Sequence, residues 1–189
     1  MIQVESKLCV YIDNVKSHYY IKNTLLDLID ECPGAPLMYD DGAKNALNRR
    51  GVTKTDWQIK KDVHRKYWDY FFAHIEPYLH NMSLRLDKAG FQILNFWFQQ
   101  YEKGSEHNWH IHYDNNKGKE EIKTYGGIYF LELPDNQGTE FWNFPQLEYK
   151  EGDLIIFPCW LPHRSPINNS CNRKTSIVFN MTFKDKNDL

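Results

Sequence analysis

The hydrophobic and polar positions of this chain fall into two textures that meet at Gly90. Upstream, Leu8 to Val15 alternates and is β-branched enough to predict a short first strand. Asn14 or Ser17 then caps a helix through Leu25, Leu26 and Ile29 that ends near Cys32-Pro33-Gly34. Pro36 to Thr55 is polar, with Gly42, Asn45, Asn48 and Gly51, and predicts a long loop placed to act as a lid. Thr55 or Asp56 opens a second helical region. Its clearest part, Val63 to Leu86, sets Tyr67, Tyr70, Phe71, Ile75, Tyr78, Leu79 and Met82 at helical spacing, with an interruption or kink expected at Pro77.

Downstream of Gly90 the segments FQILNFWFQQY, TYGGIYFLELP, TEFWNFP, GDLIIFPCW and RKTSIVFNMTFK are short, aromatic and β-branched. Asp-Asn-Gln-Gly and Glu-Gly-Asp punctuate them, and Asn115 to Lys123 reads as a solvated turn. Helices first and strands afterwards predict an α+β layout. Residues 1–90 then form a mainly helical support packed on one face of a sheet or barrel built from 91–184.

Composition narrows the classes. A length of 189 residues suits one domain, and 41% hydrophobic with 25% charged residues suits a globular protein. A net charge of -2 argues against nucleic acid or an anionic membrane held by bulk electrostatics. No stretch reaches the roughly 20 apolar residues of a membrane span. The start, MIQVESKLCV, has no signal-peptide pattern, and Cys9, Cys32, Cys159 and Cys171 are too scattered for a zinc ribbon. They read as free thiols of a cytoplasmic protein.

The candidate chemistry lies in YEKGSEHNWHIHYD, from Tyr101 to Asp114. On a strand, residues i and i+2 share a face, so His110 and His112 can reach one point, and Asp114 has the same parity. Gly104 supplies a turn that delivers the pair. A second segment, Gly152-Asp153 followed by LIIFP, ends in His163, which can close a three-ligand site. Imidazoles with a carboxylate in a facial arrangement leave positions open on Fe(II). Arg173 and Lys174, at the start of the last strand, are candidate cations for the distal carboxylate of an organic acid bound to that metal.

Tyr101-x-x-Gly104, WHIH, YGGIYFLELP, Gly138-Thr139-Glu140-Phe141, GDLIIFP, His163-Arg164 and KTSIVFN resemble, in order and spacing, the 2-oxoglutarate- and Fe(II)-dependent oxygenases. The likeness is to prolyl-hydroxylase-like and phage-encoded members, over Phe91 to Phe183. It implies a double-stranded β-helix (a jelly-roll) and oxidative decarboxylation of 2-oxoglutarate coupled to hydroxylation. It implies O2 as co-substrate, and as substrate a protein or peptide side chain, prolyl among them, or a small molecule. The family usually carries His-x-Asp at the first ligand pair. Spacing from Gly104 gives His110, His112 and His163 as ligands; sliding by two gives His112, Asp114 and His163. The family's basic-x-Ser-Ile pattern selects Lys174, which shares its strand face with Ser176 and Asn180; counting from His163 selects Arg173. Gln99, Tyr101 and Tyr129 are further candidates to hold 2-oxoglutarate, although Phe130 has the parity that usually does so. His107 reads as a residue behind the ligands or exposed, and Trp97, Trp109, Trp142 and Trp160 as core or rim.

A cupin, on the same barrel, is the alternative: Gly104 to His112 and Gly152 to His163 resemble its two motifs. Its glutamate, however, falls too late in Glu120 and Glu121, and it needs no cation after the distal histidine. A binding module that has lost its metal is the third class, and the intact His112 and His163 count against it.

Overall fold

The computed structural model describes residues 10–37, 51–60, 63–112 and 124–186. The first half runs β1 (Tyr11–Asn14), α1 (His18–Glu31), β2 (Ala35–Leu37), β3 (Val52–Thr55) and α2 (Lys66–Arg85). The second runs β4 (Gly90–Tyr101), β5 (His107–His110), β6 (Thr124–Glu132), β7 (Glu140–Phe141), β8 (Asp153–Pro158), β9 (His163–Ser165) and β10 (Lys174–Lys184). The strands form a seven-stranded sheet, in the order β1-β8-β6-β10-β4-β3-β2, and a three-stranded sheet, β5-β9-β7. All pairings among them are antiparallel.

Alternation along the central strands places two hydrophobic layers. In β10, Ile177, Phe179 and Met181 join the core shared with the helices, whereas Val178 belongs to the core between the sheets. β8 divides Leu154 and Ile156 from Ile155 and Phe157 in the same way, and β6 divides Tyr129 and Leu131 from Ile128 and Phe130. Strands covered on both faces are apolar almost throughout, as LIIF and SIVF are. Against the outer face of the large sheet, α1 buries Ile21, Leu25 and Ile29, and α2 buries Tyr67, Phe71, Ile75 and Leu79. Both sets follow i, i+4 spacing, which stacks side chains along one helix face. The inner face closes on the small sheet around Phe130, Phe141 and Phe157. The result is the α+β jelly-roll with helices on one sheet.

Three details differ from the sequence expectation. First, α2 runs unbroken from Lys66 to Arg85 with Pro77 inside it. An interior proline costs about 3 kcal/mol, but Phe71 and Ile75 before it and Leu79 and Met82 after it enter one core. Burying such side chains contributes about 1.5–3 kcal/mol each, so packing outweighs the lost bond.

Second, the expected loop from Pro36 to Thr55 is strand at both ends. β2 pairs with β3, and β3 pairs with β4. The stretch between them, 38–50, which holds most of the candidate lid, lies outside the described residues. So do Leu8 and Cys9 of the expected first strand, and 115–123.

Third, Thr55 and Asp56 open no helix. Asp56 is fully buried, and its carboxylate accepts from Arg65 Nε at 2.6 Å, Tyr67 Oη at 2.7 Å and the Phe98 amide at 2.8 Å. It ties the end of β3 to the start of α2 and to β4. Cys32 and Cys171 are free thiols. No described helix is long and apolar enough to cross a membrane.

Candidate metal centre and pocket

The turn between β4 and β5 positions the first histidines. Gly104 adopts φ +81°, a conformation that costs glycine least. Its amide donates to the Asn168 carbonyl at 2.8 Å, and Asn168 Nδ2 donates to the Tyr101 carbonyl at 2.9 Å. The turn is thereby stitched to the loop leading into β10. From it, β5 lies antiparallel to β9 with His110 opposite His163. His112, just past the end of β5, donates its amide to the Cys159 carbonyl at 3.0 Å.

The three rings converge. Centroids are 4.2 Å apart for His110 and His163, 4.8 Å for His112 and His163, and 5.3 Å for His110 and His112. One ligand-capable atom from each lies within 4.8 Å of those of the other two. In all three rings Nδ1 is engaged by a carbonyl-type oxygen: Asn108 O for His110 at 2.7 Å, Leu161 O for His163 at 2.9 Å, and Asn180 Oδ1 for His112 at 2.8 Å. Such an oxygen only accepts, so Nδ1 carries the proton and Nε2 keeps its lone pair. This is the tautomer a metal ligand requires, with the outer-shell partner that metal-bound histidines almost always have.

Electrostatics agree. Burial lowers His110, pushes His112 down to about 4, and holds His163 well below the usual imidazole range; His110 also disfavours charge on His112, and both disfavour it on His163. All three are neutral at pH 7 and available as donors. The donor set fits a divalent first-row metal such as Fe(II), for which imidazole is a suitable ligand.

Beside the imidazoles the pocket is lined by Trp97, Gln99, Tyr101, Ser165, Lys174 and Ser176 among others. Lys174 is 3% exposed, and its Nζ donates to Ser165 Oγ at 2.8 Å and to the Gln137 carbonyl at 2.9 Å. The ammonium lies over the rings of Tyr101 and Phe130, at 5.5 and 5.8 Å. No described carboxylate forms an ion pair with it. Burial pushes it down to about 7, which only Glu140's charge opposes. A buried cation without a counter-ion suits an anionic ligand group.

Strand parity separates the remaining candidates. Gln99 and Tyr101 face the pocket, with Tyr101 Oη donating to Gln99 Oε1 at 2.7 Å. Ser176 lines it as well. Arg173, on the opposite face, is turned away: its guanidinium binds Glu132 and Asp30, each at 2.9 Å. Tyr129 also points away, toward the helices, where its hydroxyl meets His18 Nδ1 at 2.6 Å and its ring packs on Phe71. Phe130 takes the inner position. Asn180 lies on the inner face, but its amide is engaged by His112 and Asn95. Asp114 lies outside the described residues.

His107 was not among the expected site residues, yet it lines the pocket, stacked parallel on His110 at 3.8 Å and bonded through Nδ1 to Gln99 Nε2 at 3.2 Å. Simple alternation puts residues three apart on opposite faces. The register between β5 and β9 shifts between the His107–Ser165 and His110–His163 pairs, so β5 carries one extra residue there. Such a bulge re-aims side chains, and it brings both histidines to one side. Ser165 belongs to the same pocket, and the sequence signal for it was its i+2 relation to His163. Trp97 lines the pocket 5.7 Å from His112, while Trp109 and Trp142 pack on each other and are partly exposed.

Solved structures with this architecture share little sequence with the chain. A viral collagen prolyl hydroxylase from Paramecium bursaria Chlorella virus-1, in complex with 2OG, has 12% identity and a TM-score of 0.60, covering 95% of this chain and 99% of its own. An oxidoreductase of the 2OG-Fe(II) oxygenase family from Burkholderia pseudomallei has 11% identity and a TM-score of 0.64, with 92% and 84% covered. HygX from Streptomyces hygroscopicus, with nickel, 2-oxoglutarate and hygromycin B bound, has 10% identity and a TM-score of 0.58, with 93% and 83% covered. No protein-family model and no curated protein matches the sequence. At these identities the likeness is one of fold: the double-stranded β-helix that these oxygenases have.

Proposed function

We propose that the chain is an Fe(II)- and 2-oxoglutarate-dependent dioxygenase that hydroxylates a protein or peptide side chain, prolyl residues among the candidates. One observation carries the reading: a cluster of three neutral imidazoles with free Nε2 atoms shares a pocket with a buried, uncompensated ammonium. A metal-binding barrel of another kind needs the first feature and not the second.

His110, His112 and His163 would hold the iron. Lys174 and Ser165 would fix the distal carboxylate of 2-oxoglutarate, with Gln99, Tyr101 and Ser176 beside them. Iron and 2-oxoglutarate bound there would supply the oxidising power, with one O2 consumed and R–H, 2-oxoglutarate and O2 becoming R–OH, succinate and CO2. The chain's own part is to position and exclude. Backbone carbonyls and Asn180 hold the ligand rings, and Lys174 supplies charge in a pocket whose apolar lining includes Trp97, Ile128 and Val178. Support for a peptide substrate comes from the viral neighbour, a collagen prolyl hydroxylase. HygX, with hygromycin B bound, shows that the same fold also takes small molecules.

The test is succinate release from 2-oxoglutarate by the iron-loaded protein, scanned across peptide and metabolite pools. Turnover that rises with one pool and disappears in His163→Ala supports the reading. Absence of succinate in every pool, with iron bound, contradicts it.

A further inference from the structure

We infer that Asn180 is the positioning residue that makes His112 a metal ligand, and so determines how tightly this chain holds its ion. The inference rests on the three-imidazole centre proposed above, and concerns what keeps its least supported member in place.

The ligands are not held alike. His110 and His163 each bond through Nδ1 to a main-chain carbonyl two residues earlier, Asn108 and Leu161, so their orientation is built into the backbone. His112 has no such anchor. It lies beyond the last residue of β5, and its Nδ1 is held by a side chain 68 residues away, Asn180 Oδ1 at 2.8 Å.

Asn180 has a second partner on its other amide atom. Its Nδ2 donates to Asn95 Oδ1 at 2.9 Å, which leaves Oδ1 to face His112. The Cys159 thiol points at the same Oδ1 from 3.5 Å. The backbone places the pair deliberately: Asn180 sits opposite Asn95, and the register between β10 and β4 breaks immediately after, with Met181 opposite Ile93. Direct cross-strand pairing sets the two amides on one face, beside the site, with the bulge at the next step.

The chemistry follows from the tautomer. An acceptor at Nδ1 keeps the proton there and the lone pair on Nε2. Without it a buried N–H loses its partner, and the imidazole is free to turn or to move its proton to Nε2, where it blocks coordination. Loss of an outer-shell partner typically weakens metal binding by roughly 10- to 100-fold.

The test uses the full chain, Co(II) alone as probe, and anaerobic titration of the metal-free protein. Asn180→Leu is expected to weaken Co(II) binding roughly 10- to 100-fold, while Asn180→Asp, which keeps an acceptor at the same place, stays within a few-fold of wild type. Equal affinity in wild type and Asn180→Leu overturns the inference and leaves the centre standing. No Co(II) binding by the wild type overturns the centre and the inference with it. Because the leucine variant can fail to fold, a second measurement is made on the wild type: long-range 15N–1H spectra of the metal-free protein, with His112 identified by the signal missing in His112→Gln. The Nδ1–H tautomer is expected, and an Nε2–H tautomer overturns the inference.

Discussion

Lys174 Nζ lies 2.8 Å from Ser165 Oγ, in the same pocket as three histidines and without a described carboxylate to pair with it. Burial holds this lysine at about 7, below its value of 10.5 when unburied. Below pH 7 it is charged in both folded and unfolded chains, and its burial costs stability. Between about 7 and 10.5 the folded protein sheds a proton that the unfolded chain keeps, so this cost is relieved as pH rises. The ligand has the opposite interest, because a carboxylate needs the ammonium. Affinity for 2-oxoglutarate is therefore expected to be greatest below pH 7 and to fall above it. Lys174→Arg, always charged, removes that pH dependence. Lys174→Met raises the KM for 2-oxoglutarate by roughly 10- to 100-fold, the worth of a charged hydrogen bond. Succinate assays at several pH values check all three.

Ligand identity is separable by paired substitutions. His110→Ala and His163→Ala are expected to lose iron by more than the roughly 10- to 100-fold of an outer-shell change, while Asp114→Ala retains it. Iron content after gel filtration reads this directly. Loss in Asp114→Ala with retention in His110→Ala would transfer the third ligand to the carboxylate.

The Asp56 carboxylate carries three hydrogen bonds at a point where β3, α2 and β4 meet, and its partner Arg65 is also buried. Removing one member of a buried pair typically costs about 3–5 kcal/mol, because the other is left uncompensated. Asp56→Ala is expected to lose that much in urea unfolding. A loss under about 1 kcal/mol, the range of an exposed pair, would show that the site is wetter than the structure indicates.

Gly127, in β6, has no room for a side chain: a Cβ there would come 2.2 Å from the Phe179 ring. Gly127→Ala is expected to destabilise by about 1–3 kcal/mol through overpacking. At neighbouring Gly126 the nearest ring atom is 3.0 Å away, so alanine there costs less in the same unfolding experiment.

Much of the fold was legible because both periodicities are strong. Leu25 and Ile29 mark a helix face, and LIIF and SIVF mark strands covered on both sides. His112 and His163 were legible from two short motifs whose strands must meet, and Lys174 from its parity with Ser176. Parity also shows its limits. It places Asn180 inside the barrel without saying that its side chain bonds to His112. Strict alternation alone does not bring His107 to the side of His110, because a bulge in β5 leaves no trace in the residue pattern. Asp56 looked like a helix start because aspartate favours N-caps; its three partners, one of them 42 residues away, are set by tertiary packing alone.

The most direct test of the three-imidazole centre and its neighbouring cation is optical. Metal-free protein is loaded anaerobically with one equivalent of Fe(II), and 2-oxoglutarate is then added. A visible charge-transfer band that is absent in His163→Ala and needs much higher 2-oxoglutarate in Lys174→Met is predicted. Tightly bound iron that develops no such band at saturating 2-oxoglutarate would contradict the account.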